Sequence, residues 1–229
     1  MSATRAQRIG IWIIAVFMAV GTIGSFVIIV LANQNQQTDQ ARANELMAAY
    51  QKENEAYQAE LEARNAELVA QTDELSAKWF STFNSAASPR VGAFDAASVT
   101  ELKKEDITVG DGETINQDSA FVAYYLGWNP SGKIFDGSID GDKLKTPLAV
   151  SPGSVIQGWT QGVEGMKVNG IREISIPSQL AYGETGSGED IPANTPIKFI
   201  VLIIRKDSVI EAPEPSAELI RLYEQGLVQ

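Results

Sequence analysis

The sequence predicts an α+β fold in which a twisted antiparallel sheet wraps around one short helix, preceded by a transmembrane helix and a long helical stalk. Residues 99–206 contain short apolar runs separated by turns rich in Gly and Asp, a pattern typical of strands. Residues 155–166 carry apolar side chains at spacings of three and four, which predicts one helix. Residues 10–32 carry no charge and residues 38–80 contain neither Gly nor Pro, so both segments favour helices.

The composition excludes several classes of function. The chain has 229 residues, a formal net charge of −11, and neither His nor Cys. Clustered Lys and Arg bind the phosphates of nucleic acids, so this acidic balance argues against such a partner. The usual imidazole base, thiolate nucleophile and nitrogen or sulfur metal ligands are missing. The loop from Asp136 begins like a calcium loop but has Pro147 at its twelfth position, and we expect neither a metal nor a cofactor.

The N-terminal segment predicts a membrane anchor. Residues 10–32 form an uncharged run of 23 residues, long enough for a helix to cross a hydrocarbon core of about 30 Å. Arg5 and Arg8 precede this run and the next basic residue is Arg42, so residues 1–9 are expected in the cytoplasm and the rest outside the cell membrane. The alternative is a signal peptide cleaved after Val30-Leu31-Ala32, which would give a secreted protein.

Residues 33–98 are expected to form a helical stalk and linker. Met47, Asn54, Leu61, Leu68 and Leu75 recur at seven-residue spacing, which is half of a coiled-coil seam, whereas the companion positions become polar further along. Both self-association through the stalk and a solitary solvated helix remain open.

The globular region is expected to span residues 99–206. Its strands are predicted at residues 107–109, 120–126, 171–176 and 197–204, with the single helix between residues 155 and 166. Residues 207–229 are expected to form a tail that contains an acidic Pro-rich link and a short helix.

A series of motifs runs through this region. They are Tyr125-Leu126-Gly127, Phe135-Asp136, Val155-Ile156-Gln157-Gly158-Trp159, Ala181-Tyr182-Gly183, Ile191-Pro192 and Phe199. In these motifs and their order the sequence resembles the FKBP-type peptidyl-prolyl cis-trans isomerases. The resemblance covers residues 99–206 and none of the membrane segment, stalk or tail.

The resemblance implies a pocket for a proline ring. Trp159 would form its floor, and its substrate-binding walls would include Phe135, Val155, Ile191 and Phe199. The implied catalytic residues are Tyr125, Asp136, Ile156 and Tyr182. Among these, the backbone N–H of Ile156 and the hydroxyl of Tyr182 would donate to carbonyls of the bound peptide, and Asp136 would be a buried carboxylate near the twisting amide. Ser187 and Asp190 would make the rim of the pocket more polar than is usual in the family.

The resulting expectation is a membrane-anchored isomerase that acts on X-Pro bonds of exported proteins and assists their folding. Its partners would be proline-containing polypeptides and, through residues 10–32, the membrane. The alternative is a proline-binding or chaperone module that uses the same pocket with little turnover.

Overall fold

The computed structural model describes residues 35–227. The predicted transmembrane helix and the residues before it lie outside this range. Within residues 35–227, none of the helices combines the length and the apolar character needed to cross a membrane. The described chain divides into two compact units. The larger is Ala59–Glu211, and the smaller combines the residues up to Gln58 with those from Ala212 onward.

The larger unit is built on an antiparallel sheet. The strands of this unit are β1 (Lys103–Thr108), β2 (Ala120–Trp128), β3 (Ile134–Gly137), β4 (Ile139–Asp140), β5 (Lys143–Leu144), β6 (Leu148–Val150), β7 (Ile171–Ile176) and β8 (Ile197–Asp207). The strand order in the sheet is β1-β7-β8-β2-β3, and β6 adds to it by pairing with β2. A separate hairpin contains β4 and β5. The predicted strand at residues 171–176 is confirmed at both ends, whereas the other three predicted strands differ in their bounds.

Both faces of β2 are buried. Successive side chains of a strand point to opposite faces of the sheet, so Ala123 and Tyr125 face one core while Tyr124, Leu126 and Trp128 face another. This explains why the strand reads as a nearly continuous apolar run instead of alternating with polar residues. The larger unit therefore has an inner and an outer core.

One helix fills the inner core. The described residues form two long helices, α1 (Asn35–Ala70) and α2 (Thr72–Ala87), and two shorter α-helices, α3 (Gln157–Val163) and α4 (Ala217–Glu224). The predicted helix within residues 155–166 is confirmed as α3, which packs on β7. A Cβ atom at Gly162 would lie 2.6 Å from Cγ2 of Ile174, and one at Gly158 would overlap Ile176. These two glycines allow the helix to approach the strand closely.

Helix α2 covers the outer core. Its buried side chains Phe83 and Ala87 belong to the same cluster as Tyr124, Leu126 and Trp128 of β2. The sequence predicts that these helical residues belong to a stalk ahead of a domain that starts at residue 99. The structure differs, because the apolar face of α2 is packed against the sheet and lies in the same compact unit.

In the smaller unit, the first part of α1 packs with the tail helix α4. Ala43 is fully buried with Leu219 and Leu222, and Met47 packs against this cluster. The side chain of Ser216 caps α4 by accepting a hydrogen bond of 3.1 Å from the backbone N–H of Leu219. The short helix predicted for the tail is thus present, and it packs against Met47, the first residue of the seven-residue repeat.

Candidate active site

Four aromatic side chains meet on the inner face of the sheet. Trp159 of α3 contacts Tyr125 of β2 edge to face, with ring centroids 5.5 Å apart, and contacts Phe199 of β8 in the same way at 5.4 Å. Phe199 in turn contacts Phe135 of β3 at 5.6 Å. Edge-to-face contacts of this kind stabilise a defined arrangement of rings beyond the burial of their area. The indole is therefore held by two other rings.

Gly127 makes this arrangement possible. It lies opposite Phe199 in the β2–β8 register and opposite Asp136 in the β2–β3 register. A Cβ atom at this position would lie 2.8 Å from the ring of Phe135 and closer still to that of Phe199. Two phenylalanines on the flanking strands can meet over β2 because this residue has no side chain.

The predicted pocket residues are all brought together. Trp159, Ile191 and Phe199 are buried members of the inner core. The other apolar and aromatic residues predicted for the site are partly buried and packed against that core; they are Tyr125, Phe135, Val155, Ile156 and Tyr182. A closed floor with partly exposed walls is the form expected of a shallow binding site.

Asp136 is bonded at the rim of this site. Its Oδ2 atom accepts a hydrogen bond of 2.6 Å from the Tyr125 hydroxyl, and its Oδ1 atom accepts one of 2.8 Å from the backbone N–H of Gly137. The residue is exposed, so the expectation of a buried carboxylate is wrong. Since β3 is the outermost strand at this end of the sheet, the carboxylate reaches both the pocket and water, which spares it the cost of burying a charge.

Ile156 immediately precedes α3. It has extended backbone angles, and its carbonyl accepts hydrogen bonds from the backbone N–H groups of Trp159 and Thr160. The first turn of the helix therefore fixes the backbone of Ile156 relative to the indole of Trp159.

The hydroxyl of Tyr182 is available as a donor at neutral pH. Burial raises the pKa of Tyr182 above its ordinary value, and the nearby Asp136 carboxylate raises it further. The loop that follows folds back, since the backbone N–H of Gly186 donates to the Tyr182 carbonyl and that of Ser187 donates to the Ile191 carbonyl. This loop brings Ile191 into the inner core against which Tyr182 packs.

The acidic rim residue Asp190 is already paired. Its carboxylate forms an ion pair with Lys133, and its backbone carbonyl accepts a hydrogen bond of 2.8 Å from Asn129. The negative charge of Asp190 is therefore compensated by a neighbouring cation. In the part of the chain that the structure describes, three or more carboxylates do not converge on a position that would hold a metal ion.

Comparisons with known proteins identify one family for this sequence. Residues 110–204 match the FKBP-type peptidyl-prolyl cis-trans isomerases. The FK506-binding protein of Neisseria meningitidis serogroup A is 35% identical over 101 residues, which cover 44% of this chain and 92% of that protein. The FK506-binding protein 4 of Rhizopus delemar is 36% identical over 100 residues, and this chain covers 26% of its length.

Among solved structures, a peptidyl-prolyl cis-trans isomerase from Pseudomonas syringae is 29% identical, with 59% of this chain and 96% of that chain covered and a TM-score of 0.43. The chain belongs to the FKBP-type peptidyl-prolyl cis-trans isomerase family and is an enzyme of that class. Helix α2 and the residues before it lie outside the matched region.

Two residues that shape the site, Gly127 and Ser138, are not predicted as such by the sequence. Gly127 belongs to one of the predicted motifs, but its role in leaving room for two aromatic rings follows only from the registers of three paired strands. Ser138 exchanges two hydrogen bonds with Tyr125, because its N–H donates to the Tyr125 carbonyl at 2.7 Å and its Oγ accepts from the Tyr125 N–H at 2.9 Å. In the sequence, the position of Ser138 two residues after Asp136 could have indicated that it belongs to the site.

Proposed function

We propose that this enzyme isomerises X-Pro bonds by seating the proline ring on the indole of Trp159 and twisting the preceding amide between the half-buried walls. The observation that carries the proposal is the ring cluster of Tyr125, Trp159 and Phe199. Its indole is held edge-on by two rings, and partly exposed apolar residues surround it.

Desolvation supplies the main effect in this proposal. Rotation about a peptide bond has a barrier of about 18–20 kcal/mol, since it breaks amide resonance. Resonance places negative charge on the carbonyl oxygen, so water stabilises the planar amide more than the twisted one. Transfer into an apolar pocket removes this difference and lowers the barrier.

Hydrogen bonds make a smaller contribution. A neutral hydrogen bond contributes about 0.5–1.5 kcal/mol net, whereas each tenfold in rate needs about 1.4 kcal/mol. The hydroxyl of Tyr182 and the N–H of Ile156 would hold carbonyls of the substrate in place. Asp136 would orient Tyr125 through their 2.6 Å hydrogen bond and keep a negative charge at the entrance.

The proposed substrates are exported proteins. Residues 10–32 would anchor the chain in the cell membrane, with residues 1–9 in the cytoplasm and the isomerase domain outside. This location follows from the uncharged run and the basic residues Arg5 and Arg8. Self-association is not part of the proposal, because Met47 packs with the tail helix and Leu75 packs with the outer core of the same chain.

A protease-coupled cis-to-trans assay tests the proposed mechanism. The full-length chain in detergent should accelerate isomerisation of a proline peptide, Trp159→Leu should abolish most of that acceleration, and Tyr182→Phe should reduce it about tenfold or less. Tyr57→Phe, a tyrosine of α1, is the matched control and should keep full activity. Full activity in Trp159→Leu contradicts the proposed floor. Suppression of aggregation that survives Trp159→Leu, without turnover in the wild type, would favour the chaperone alternative.

Thiol labelling tests the proposed location. The chain has no cysteine, so a single introduced cysteine reports its own position. In intact cells, a membrane-impermeant maleimide should label Ser98→Cys and leave Thr4→Cys unlabelled. Labelling of Thr4→Cys alone contradicts the orientation. A mature protein that lacks residues 1–32 by mass contradicts the anchor and favours the secreted alternative.

A further inference from the structure

Helix α2 contacts a hairpin that leads directly into the active site. The backbone N–H of Leu144 in β5 donates a buried hydrogen bond of 2.8 Å to Oγ of Ser76. Ser76 is only 6% exposed and the side chain of Leu144 only 1% exposed, so this bond is shielded from water. A second bond of 2.9 Å joins the hydroxyls of Thr72 and Thr146. Since the Thr72 hydroxyl donates to the Leu68 carbonyl, Thr146 is the donor in the second bond.

The β4–β5 hairpin connects α2 with the residues at the rim of the site through further hydrogen bonds. Leu144 pairs with Ile139 across the β4–β5 hairpin. The next residue, Lys145, donates through its backbone N–H to the Ser138 carbonyl at 2.7 Å and through Nζ to the Gly137 carbonyl at 2.8 Å. The segment at residues 137–138 is thus bonded on the side away from the pocket.

The same segment is bonded to the site on its other side. Ser138 donates its N–H to the Tyr125 carbonyl and accepts the Tyr125 N–H at Oγ, and the N–H of Gly137 donates to Oδ1 of Asp136. The Tyr125 hydroxyl then donates to Oδ2 of the same carboxylate. A continuous series of hydrogen bonds therefore connects Ser76 with the Tyr125–Asp136 pair.

We propose that Ser76 is a positioning residue of the isomerase, which acts through Leu144 and the β4–β5 hairpin to hold Asp136 and Tyr125 in place. Ser76 lies outside residues 110–204, the region matched by the family, so the site of this chain depends on a helix that precedes the family domain. This inference rests on the proposed roles of Asp136 and Tyr125.

The physical reason is that Asp136 is exposed on an outermost strand. A side chain in contact with water is not fixed by packing, so its direction depends on the hydrogen bonds of the segment that carries it. Without Oγ of Ser76 the buried N–H of Leu144 loses its acceptor, and the hairpin must shift or open to hydrate it. The apolar floor formed by Trp159 does not depend on this hairpin. We therefore expect kcat to fall and KM to stay unchanged.

The test compares two serines of the same helix in the full-length chain. Ser76→Ala removes the acceptor, Ser76→Thr restores an oxygen on Cβ, and Ser81→Ala alters an exposed serine of α2 as the control. Ser76→Ala should lower kcat about three- to tenfold, which lies within the range for changes along a coupled network. Ser76→Thr should recover most of the loss, and Ser81→Ala should match the wild type. Hydrogen exchange measured by mass spectrometry should become faster over residues 137–145 in Ser76→Ala alone.

Two results overturn the proposal. One is wild-type kcat in folded Ser76→Ala although exchange over residues 137–145 is faster, which would uncouple the hairpin from the site. The other is an unchanged exchange rate over these residues together with a lower kcat. If Ser76→Ala does not fold, Thr146→Val is the deciding variant, because it removes only the exposed hydrogen bond between Thr146 and Thr72. Thr146→Val should also lower kcat. A kcat equal to that of the wild type would overturn the proposal. Full activity in Asp136→Ala would show instead that the roles proposed for Asp136 and Tyr125 are themselves wrong.

Discussion

Arg172 and Asp106 are joined by two hydrogen bonds, in which the arginine Nε and Nη2 atoms donate to the two carboxylate oxygens at 2.7 and 3.0 Å. The Nη1 atom of the same arginine donates to the carbonyls of Gly162 and Glu164, where α3 ends. One guanidinium therefore ties β7 to β1 and satisfies the end of the helix that carries Trp159.

Arg172→Ala should destabilise the fold and weaken the site. It leaves two carbonyls at the helix end without their donor, and it removes the partner of a carboxylate that is partly exposed. We expect the free energy of unfolding to fall by about 2–3 kcal/mol, below the range for breaking a fully buried ion pair. Urea unfolding followed by near-UV circular dichroism measures the change. Arg221→Ala, an exposed arginine of the tail helix, is the control, and an equal loss in both variants would contradict the special role of Arg172.

Tyr125→Phe should lower activity with little effect on stability. The substitution keeps the ring against Trp159 and removes only the hydroxyl that donates to Asp136. Because this carboxylate is exposed, we expect a loss of about three- to tenfold in kcat, which is below the roughly 1.5–3 kcal/mol typical of a hydrogen bond to a charged group. The peptide isomerisation assay measures the change. Activity equal to the wild type would show that the pair has no part in turnover.

Gly127→Ala should disturb the site through the two phenylalanines that meet over it. Phe135 and Phe199 must move away from the new methyl group, and overpacking of this kind costs about 1–3 kcal/mol. Activity should fall several-fold, since Phe199 also packs on the indole of Trp159. Gly92→Ala is the matched control, because a Cβ atom there meets nothing within 4 Å. If Gly127→Ala has the same free energy of unfolding and the same activity as Gly92→Ala, the two phenylalanine rings are not closely packed against Gly127.

Tyr124→Phe should stabilise the protein, in contrast to its neighbour Tyr125. The hydroxyl of Tyr124 is fully buried in the outer core and lacks a hydrogen-bond partner among the described residues. Replacing an unsatisfied buried polar group by an apolar one removes its desolvation cost, so we expect a gain of about 1 kcal/mol. Thermal unfolding at neutral pH measures it, and a loss of stability would contradict the assignment of this hydroxyl as unsatisfied.

The same variant should change how stability depends on alkaline pH. Burial raises the pKa of Tyr124 to about 12, whereas the unfolded chain has the ordinary value of about 10. The folded state therefore keeps its proton while the unfolded state loses it. Ionisation of Tyr124 therefore leaves the stability of the wild type unchanged below about pH 10 and lowers that stability as the pH rises from about 10 toward 12. The advantage of Tyr124→Phe over the wild type should widen across this window, and a constant difference would contradict the raised pKa.

The inner core and the site were largely predictable from sequence, whereas the outer core was not. Strand β7 alternates as Ile-Arg-Glu-Ile-Ser-Ile and is bounded by turn residues, so its limits were clear. Strands β3 to β6 have two to four residues each and exist through pairing, which no local pattern encodes. The exposure of Asp136 was missed because it depends on the place of β3 at the end of the sheet.

Helix α2 was recognised as a helix but not as part of the domain. Leu75, Trp79 and Phe83 follow one another at a spacing of four and form an apolar stripe, which was the available signal. The seven-residue spacing that runs from Met47 to Leu75 indicates instead a stalk, either solitary or self-associating. Periodicity locates a buried face, but it does not identify the surface that buries it.

The two buried faces of β2 determine which part of this chain can be transferred to another protein as a folded unit. A graft of residues 99–206 onto another carrier would retain every pocket residue and leave Tyr124, Leu126 and Trp128 uncovered. An apolar patch of this kind favours aggregation of the isolated cassette. Engineering or modular exchange of this enzyme should therefore cut the chain ahead of Thr72, so that the strand travels with the helix that covers its outer face.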